Sequence, residues 1–140
     1  MEYRKFGADY VVRMDRGEEI IASLTSLCEK EQIRLASVQG LGASDHAVVC
    51  VYDVKEKVFH RQTLTGPMEI SSLVGSVTQK DGKPYLHLHV TLCDEHLIAH
   101  GGHANEISIS ATCEMVLHVI DGQVGRHLDP DTGLNLFQFQ

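Results

Sequence analysis

The chain has no tryptophan, no Cys-x-x-Cys pair and no basic run longer than Arg4-Lys5. Each absence excludes something. Four cysteines (Cys28, Cys50, Cys93, Cys113) sit inside apolar periodic runs, which suits small buried hydrophobes in a reducing compartment and not a disulfide framework. Twelve lysines and arginines against nineteen acids give a net charge of −7, and the positives are scattered. A duplex is a dense array of phosphates whose binding takes a basic stripe, so composition argues against independent DNA binding. No apolar run is long enough to span a bilayer, and Met1 to Phe6 does not read as a signal peptide. The expectation is a cytoplasmic protein with no membrane partner. The 140 residues hold no repeat, low-complexity tract or linker, and read as a single domain, 1–140, long enough for a real core.

What is present is mostly strand pattern. Ala8 to Met14 predicts a first strand. Asp15-Arg16-Gly17-Glu18 then reads as a capping-box variant, with Asp15 as the cap and Glu18 and Glu19 an acidic first turn. Ile20, Ile21, Leu24, Leu27 and Cys28 follow at helical spacing, so the one long helix should end near Gln32. Leu35 to Gln39, His46 to Tyr52, Val58 to Leu64 and Met68 to Val77 are predicted as successive strands, with Gly66-Pro67 as a break. Asp81-Gly82 is a strong hairpin signal leading into the next strand. Ile107 to Ile120 is a long alternating strand, and Leu134 to Phe139 alternates again. One helix on a mainly antiparallel sheet is an α+β architecture.

Tyr85 to His103 carries the chemistry. It contains His87, His89, His96, His100 and His103, five of nine histidines. Residues 85 to 93 alternate as a half-buried strand does, so His87 and His89 share one face. After a turn at Asp94 and Glu95, Gly101-Gly102 lets the backbone bend or approach closely and brings His103 onto that face. Three imidazoles leaving a position for water form the pattern of an open zinc site. His100 is either a fourth ligand or a solvent-facing neighbour, and His96 falls in the turn. Cys93 would share the face of His87 and His89 if the strand stays regular, which makes it a conceivable soft ligand.

Glu114, flanked by Cys113 and Met115, stands among residues that read as buried. A carboxylate there must be paired or functional. One reading makes it a catalytic candidate, as a general base beside metal-bound water or a partner orienting a histidine. The other makes it an ordinary ion pair, and both stay open. Asp129-Pro130-Asp131-Thr132-Gly133 reads as a turn, without the spacing of a calcium loop.

Taken in order, Gly17-Glu18, Val38-Gln39-Gly40-Leu41-Gly42-Ala43, Gly66-Pro67-Met68-Glu69-Ile70-Ser71-Ser72-Leu73-Val74-Gly75-Ser76, Leu86-His87-Leu88-His89-Val90 and Gly101-Gly102-His103 resemble one family. It is the plants-and-prokaryotes-conserved (PPC) domain, which forms the body of plant AT-hook nuclear proteins and occurs alone in bacteria and archaea. The resemblance implies an α+β fold, a homotrimer and a label of DNA-binding regulatory protein. It matches His87, His89 and His103 to the family's metal positions. It matches the Gly66–Leu73 stretch, with Gly66 and Glu69, to a segment that plant members use for protein partners. Pro67-Met68 replaces the plant Arg-Phe, Ala104-Asn105 stands where a leucine is usual, and no Arg-Gly-Arg-Pro hook is present. Two classes of function follow. One is a trimeric regulatory or binding module with a three-histidine zinc site; the other is a zinc-dependent hydrolase or lyase acting on a small molecule.

Overall fold

The computed structural model describes residues 1–139. Eight strands and one helix follow in the order β1 (Glu2–Phe6), β2 (Asp9–Asp15), α1 (Ile20–Lys30), β3 (Ala36–Asp53), β4 (Val58–Lys80), β5 (Lys83–Asp94), β6 (Ala99–Val119), β7 (Gly125–Leu128) and β8 (Asn135–Gln138). The main sheet is antiparallel, in the order β1-β2-β6-β3-β4-β5. β6 also pairs with β5, from Cys93 opposite Ala99 to His89 opposite His103, so β6, β3, β4 and β5 close into a ring. The expected α+β architecture is observed. No helix among the described residues is long and apolar enough to cross a membrane.

Alternation decides the two faces. Leu88, Val90, Leu92, Val12, Met14, Val38, Ile107, Met115 and Leu117 point inward and are at most 3% exposed. They meet Ile20, Leu24, Leu27 and Cys28 of α1, which recur at helical spacing and are equally buried. Burial of this kind is worth roughly 1.5–3 kcal/mol for each large side chain.

Several boundaries differ from the sequence reading. Glu19, not Asp15, caps α1: its carboxylate accepts from Ile21 N at 2.9 Å and Ala22 N at 2.7 Å. It also accepts from Ile107 N at 3.1 Å, which ties the helix start to β6. Gly17 N donates to Ile109 O, so residues 15–18 form a turn fastened to β6 before any helix begins. Glu18 belongs to that turn, accepting from Asp15 N at 2.7 Å, and the first helical turn contains no acid. The first strand is a hairpin, β1–β2, turning at Gly7 with φ +61.

The predicted pairs of short strands are two long ones. Gly66 and Pro67 do not break β4; they bulge out opposite Asp45, between the pairs His46↔Thr65 and Ser44↔Met68. Gly66 takes φ +104, which a side chain would resist, and the ladder resumes after it. Asp81 (φ +52) and Gly82 (φ +76) both lie in the left-handed region, the two-residue turn that suits hairpin twist. The alternating tail is β8, and its partner β7 carried no sequence signal.

Candidate metal centre

The three sequence-predicted histidines meet at the seam of the ring. His103 on β6 lies opposite His89 on β5 and opposite Cys50 on β3, so three strands converge on it. The convergence is close. A Cβ added at Gly101 would stand 2.4 Å from Val90 O, and one at Gly102 would stand 2.5 Å from Cys50 O. Only glycine lets β6 pass between its two neighbours there.

His87 and His89 project from β5 on the face opposite Leu88 and Val90. Ring centroids are 5.2 Å apart for His87–His89, 5.2 Å for His87–His103 and 5.7 Å for His89–His103. One nitrogen from each ring falls within 4.8 Å of the others. Two zinc–nitrogen bonds of about 2.0–2.1 Å reach at most about 4.2 Å, so one ion would draw the three nitrogens slightly closer together. Burial, then the neighbouring imidazoles and the Arg126 charge, hold His87 below the usual histidine range; burial, then His89, does the same for His103. Both shifts favour the neutral ring, which is the form that coordinates metal.

Side chains on two sides frame the cluster. Phe59 stacks on His103 at 5.5 Å between centroids, and Tyr52 on Phe59 at 4.7 Å. On the other side the β7–β8 hairpin places Arg126 between the rings of Tyr85 and Phe137, at 4.7 and 4.3 Å. Arg126 Nε donates to Thr78 Oγ1 at 2.8 Å and Nη1 to Asn135 O at 3.0 Å. The hairpin's turn is held by Tyr52 Oη and Lys57 Nζ, which donate to Thr132 O at 2.7 Å and Pro130 O at 2.6 Å. Asp129 braces that turn by accepting from Thr132 N and Oγ1, as its turn composition predicts. Sequence reasoning missed Arg126 and the aromatic neighbours. Only Tyr85, in step with His87 and His89, could have been inferred.

Other predicted residues lie elsewhere. His100 is three residues from His103, hence on the other side of β6, and bonds Asp94 Oδ2 at 2.8 Å. That bond is the largest of the effects pulling the Asp94 carboxyl down to about 2. His96 is exposed in the turn. Cys93 sits at the end of β5 opposite Ala99, 3.6 Å from Ser71 Oγ, and is not in the histidine cluster.

Glu114 is a correction. It is exposed on the outer face, between Arg13 of β2 and Leu41 of β3. Its apolar neighbours misled the reading because they occupy the opposite, buried face. It lies eleven residues past His103 on β6, and at its level β3 and β4 intervene before β5, three strand spacings of roughly 4.8 Å each, too far to act on water at the histidine cluster. Gly66 is half-buried in its bulge and Glu69 is exposed, opposite Ala43 and Cys93.

The histidines share their face with an apolar band. One row crosses the sheet as His89, Val74, Gln39, Val116, Val11 and Arg4, each opposite the next. Val74, Val116 and Val11 are 50%, 39% and 47% exposed, and with Leu41 and Phe6 they line a groove of about 930 Å³. The basic residues of this region are already engaged: Arg4 pairs with Glu2, and Arg13 with Glu2 and Asp15.

An antiparallel sheet closed over one helix, with three imidazoles at its seam, defines an α+β protein whose outer surface carries a histidine cluster that could hold a metal ion. The chain belongs to the Plants and Prokaryotes Conserved (PCC) domain family, whose model matches residues 1–121. Among solved structures, one from Bacteroides thetaiotaomicron, provisionally described as DNA-binding, is 30% identical with a TM-score of 0.96, over 99% of this chain and 96% of that one. A metal-containing protein from Archaeoglobus fulgidus is 31% identical with a TM-score of 0.88, over 99% and 97%. A plant- and prokaryote-conserved protein from Pyrococcus horikoshii is 28% identical with a TM-score of 0.87, over 99% and 96%. No curated protein matches the chain.

Proposed function

We propose that this protein is a single-domain, zinc-binding regulatory module that works as a homotrimer in the cytoplasm. The observation that carries the reading is the cluster of three imidazoles with donor nitrogens within 4.8 Å, two of them on exposed residues. Three neutral nitrogens with an open side suit zinc that keeps a position for a further ligand. His87, His89 and His103 would hold the ion, which would polarise whatever occupies that position. The metal-containing relative supports the metal, and the DNA-binding description of the Bacteroides protein supports a regulatory role.

The trimer is supported by the apolar band beside the histidines, since a row of exposed valines on a sheet face favours contact with another copy. Glu69, exposed beyond the Gly66 bulge, is available to a protein partner. Direct DNA contact is the weaker part of the family picture. A trimer would carry three times −7, and the arginines of β1 and β2 are paired with acids. A partner would have to supply the positive charge. The alternative reading, a zinc hydrolase or lyase, keeps the open site but loses Glu114 as its base.

Elemental analysis of untagged protein tests the reading. We expect about one zinc per chain, and its loss in His87→Ala/His89→Ala. Full metal retention by the double variant would show that the ion is bound elsewhere.

A further inference from the structure

We propose that the open side of the metal centre takes a small oxyanion, a carboxylate or phosphate group, held between the ion and the guanidinium of Arg126. The proposal rests on the metal reading of the triad and adds to it the class of ligand. Its first ground is charge. The cluster is three imidazoles, and no carboxylate joins it among the described residues. A divalent ion there would keep its full charge, with nothing from the protein to offset it.

Its second ground is Arg126. This residue stacks on Tyr85, which stands two positions before His87 on the same face of β5. A permanent cation is thereby fixed next to a cation site. Its Nη2 is buried and has no hydrogen-bond partner among the described residues, while Nε and Nη1 are both satisfied. A buried N–H without an acceptor is costly, and two neighbouring cations repel. One oxyanion relieves both conditions: one oxygen on the metal, another accepting from the guanidinium fork. A neutral acceptor could satisfy Nη2 but would leave the two positive charges uncompensated.

The route to Nη2 is the hairpin itself. β7 and β8 form a separate two-stranded sheet, attached to the main sheet by side-chain bonds and by Gln79 N to Val124 O, not by a strand ladder. A small displacement of this hairpin opens the guanidinium toward the histidines without disturbing the ring of strands. These strands also lie beyond residues 1–121, so the anion-binding half of the site is outside the matched family region.

The test uses the full chain loaded with cobalt(II), whose visible spectrum reports its ligands, titrated with acetate, inorganic phosphate and acetamide. We expect acetate or phosphate to change the spectrum saturably, the stronger of the two identifying the oxyanion, and acetamide to leave it unchanged. Arg126→Gln should weaken the anion by about tenfold or more, the loss of a charge-assisted hydrogen bond. Phe137→Leu, which loosens the hairpin but keeps the charge, should cost much less. Cobalt binding without any anion response overturns the proposal alone, as does an equal loss in the two variants. Failure of cobalt to bind overturns the metal reading and the proposal together.

Discussion

The two faces of the closed sheet are made from similar residues and put them to opposite uses. Inward, valines, leucines and isoleucines disappear under α1, with Leu24, Leu88 and Leu117 at most 1% exposed. Outward, Val11, Val74 and Val116 remain in solvent on the row that ends at His89. A valine is therefore not evidence of core by itself; its parity along the strand assigns it. The inner face specifies the fold, while the outer one gathers an apolar band, three imidazoles and a stacked arginine on one surface. That is where contact and chemistry are concentrated.

The comparison can be broken at three levels. The largest effect should come from the inner face. Leu24→Ala on α1 should cost about 2–5 kcal/mol, read from urea unfolding, because the closed ring cannot collapse around the cavity. A loss no larger than that of Val74→Ala outside would erase the distinction between the faces. Next comes the outer band. Val116→Asp should turn the proposed trimer into monomers in sedimentation equilibrium while the far-UV circular dichroism of the fold persists. Wild-type protein sedimenting as a monomer at micromolar concentration would remove the trimer from the account.

The smallest effect concerns protons. His87 and His103 are held below the ordinary histidine value near 6.5, so the unfolded chain binds protons that the folded one refuses. Metal-free stability should be full above about 6.5 and should decline as pH falls below it toward the folded values. His87→Gln/His103→Gln should flatten that slope. The two rings still meet solvent, so the change is modest. A metal-free protein that gains stability on acidification between pH 7.5 and 5.5 would reverse the sign.

Much of this was legible in the residues. Spacing gave α1, the dipeptide Asp81-Gly82 gave its turn, and alternation in Leu86-His87-Leu88-His89-Val90 gave both the strand and the shared face of two histidines. His103 was reachable because Gly101-Gly102 signals a close passage of backbone. The failures have local causes. Gly66-Pro67 looks like a break, since a sequence window cannot see that β3 supplies pairing on either side of it. Asp15 is a good cap by type, but Gly17 hydrogen-bonds to β6 and moves the helix start to Glu19. Glu114 was judged by its neighbours in sequence, which in a strand are its opposites in space. Arg126 and the hairpin that carries it reach the histidines only through tertiary contacts, and no period in the sequence announces them.

The seam has a consequence in time. β3–β4, β4–β5 and β5–β6 are consecutive hairpins and can pair early, whereas β6 must come back past β4 and β5 to reach β3 and shut the ring. His87 and His89 share one strand, and His103 stands opposite His89 across the β5–β6 hairpin, so the three rings meet through local pairing and do not wait for the ring to shut. A metal ion held as proposed would therefore find all three of its nitrogens on a single hairpin. Such an ion would staple that hairpin before β6 finds β3 as well as after, and so would guide the folding of the ring besides holding it closed.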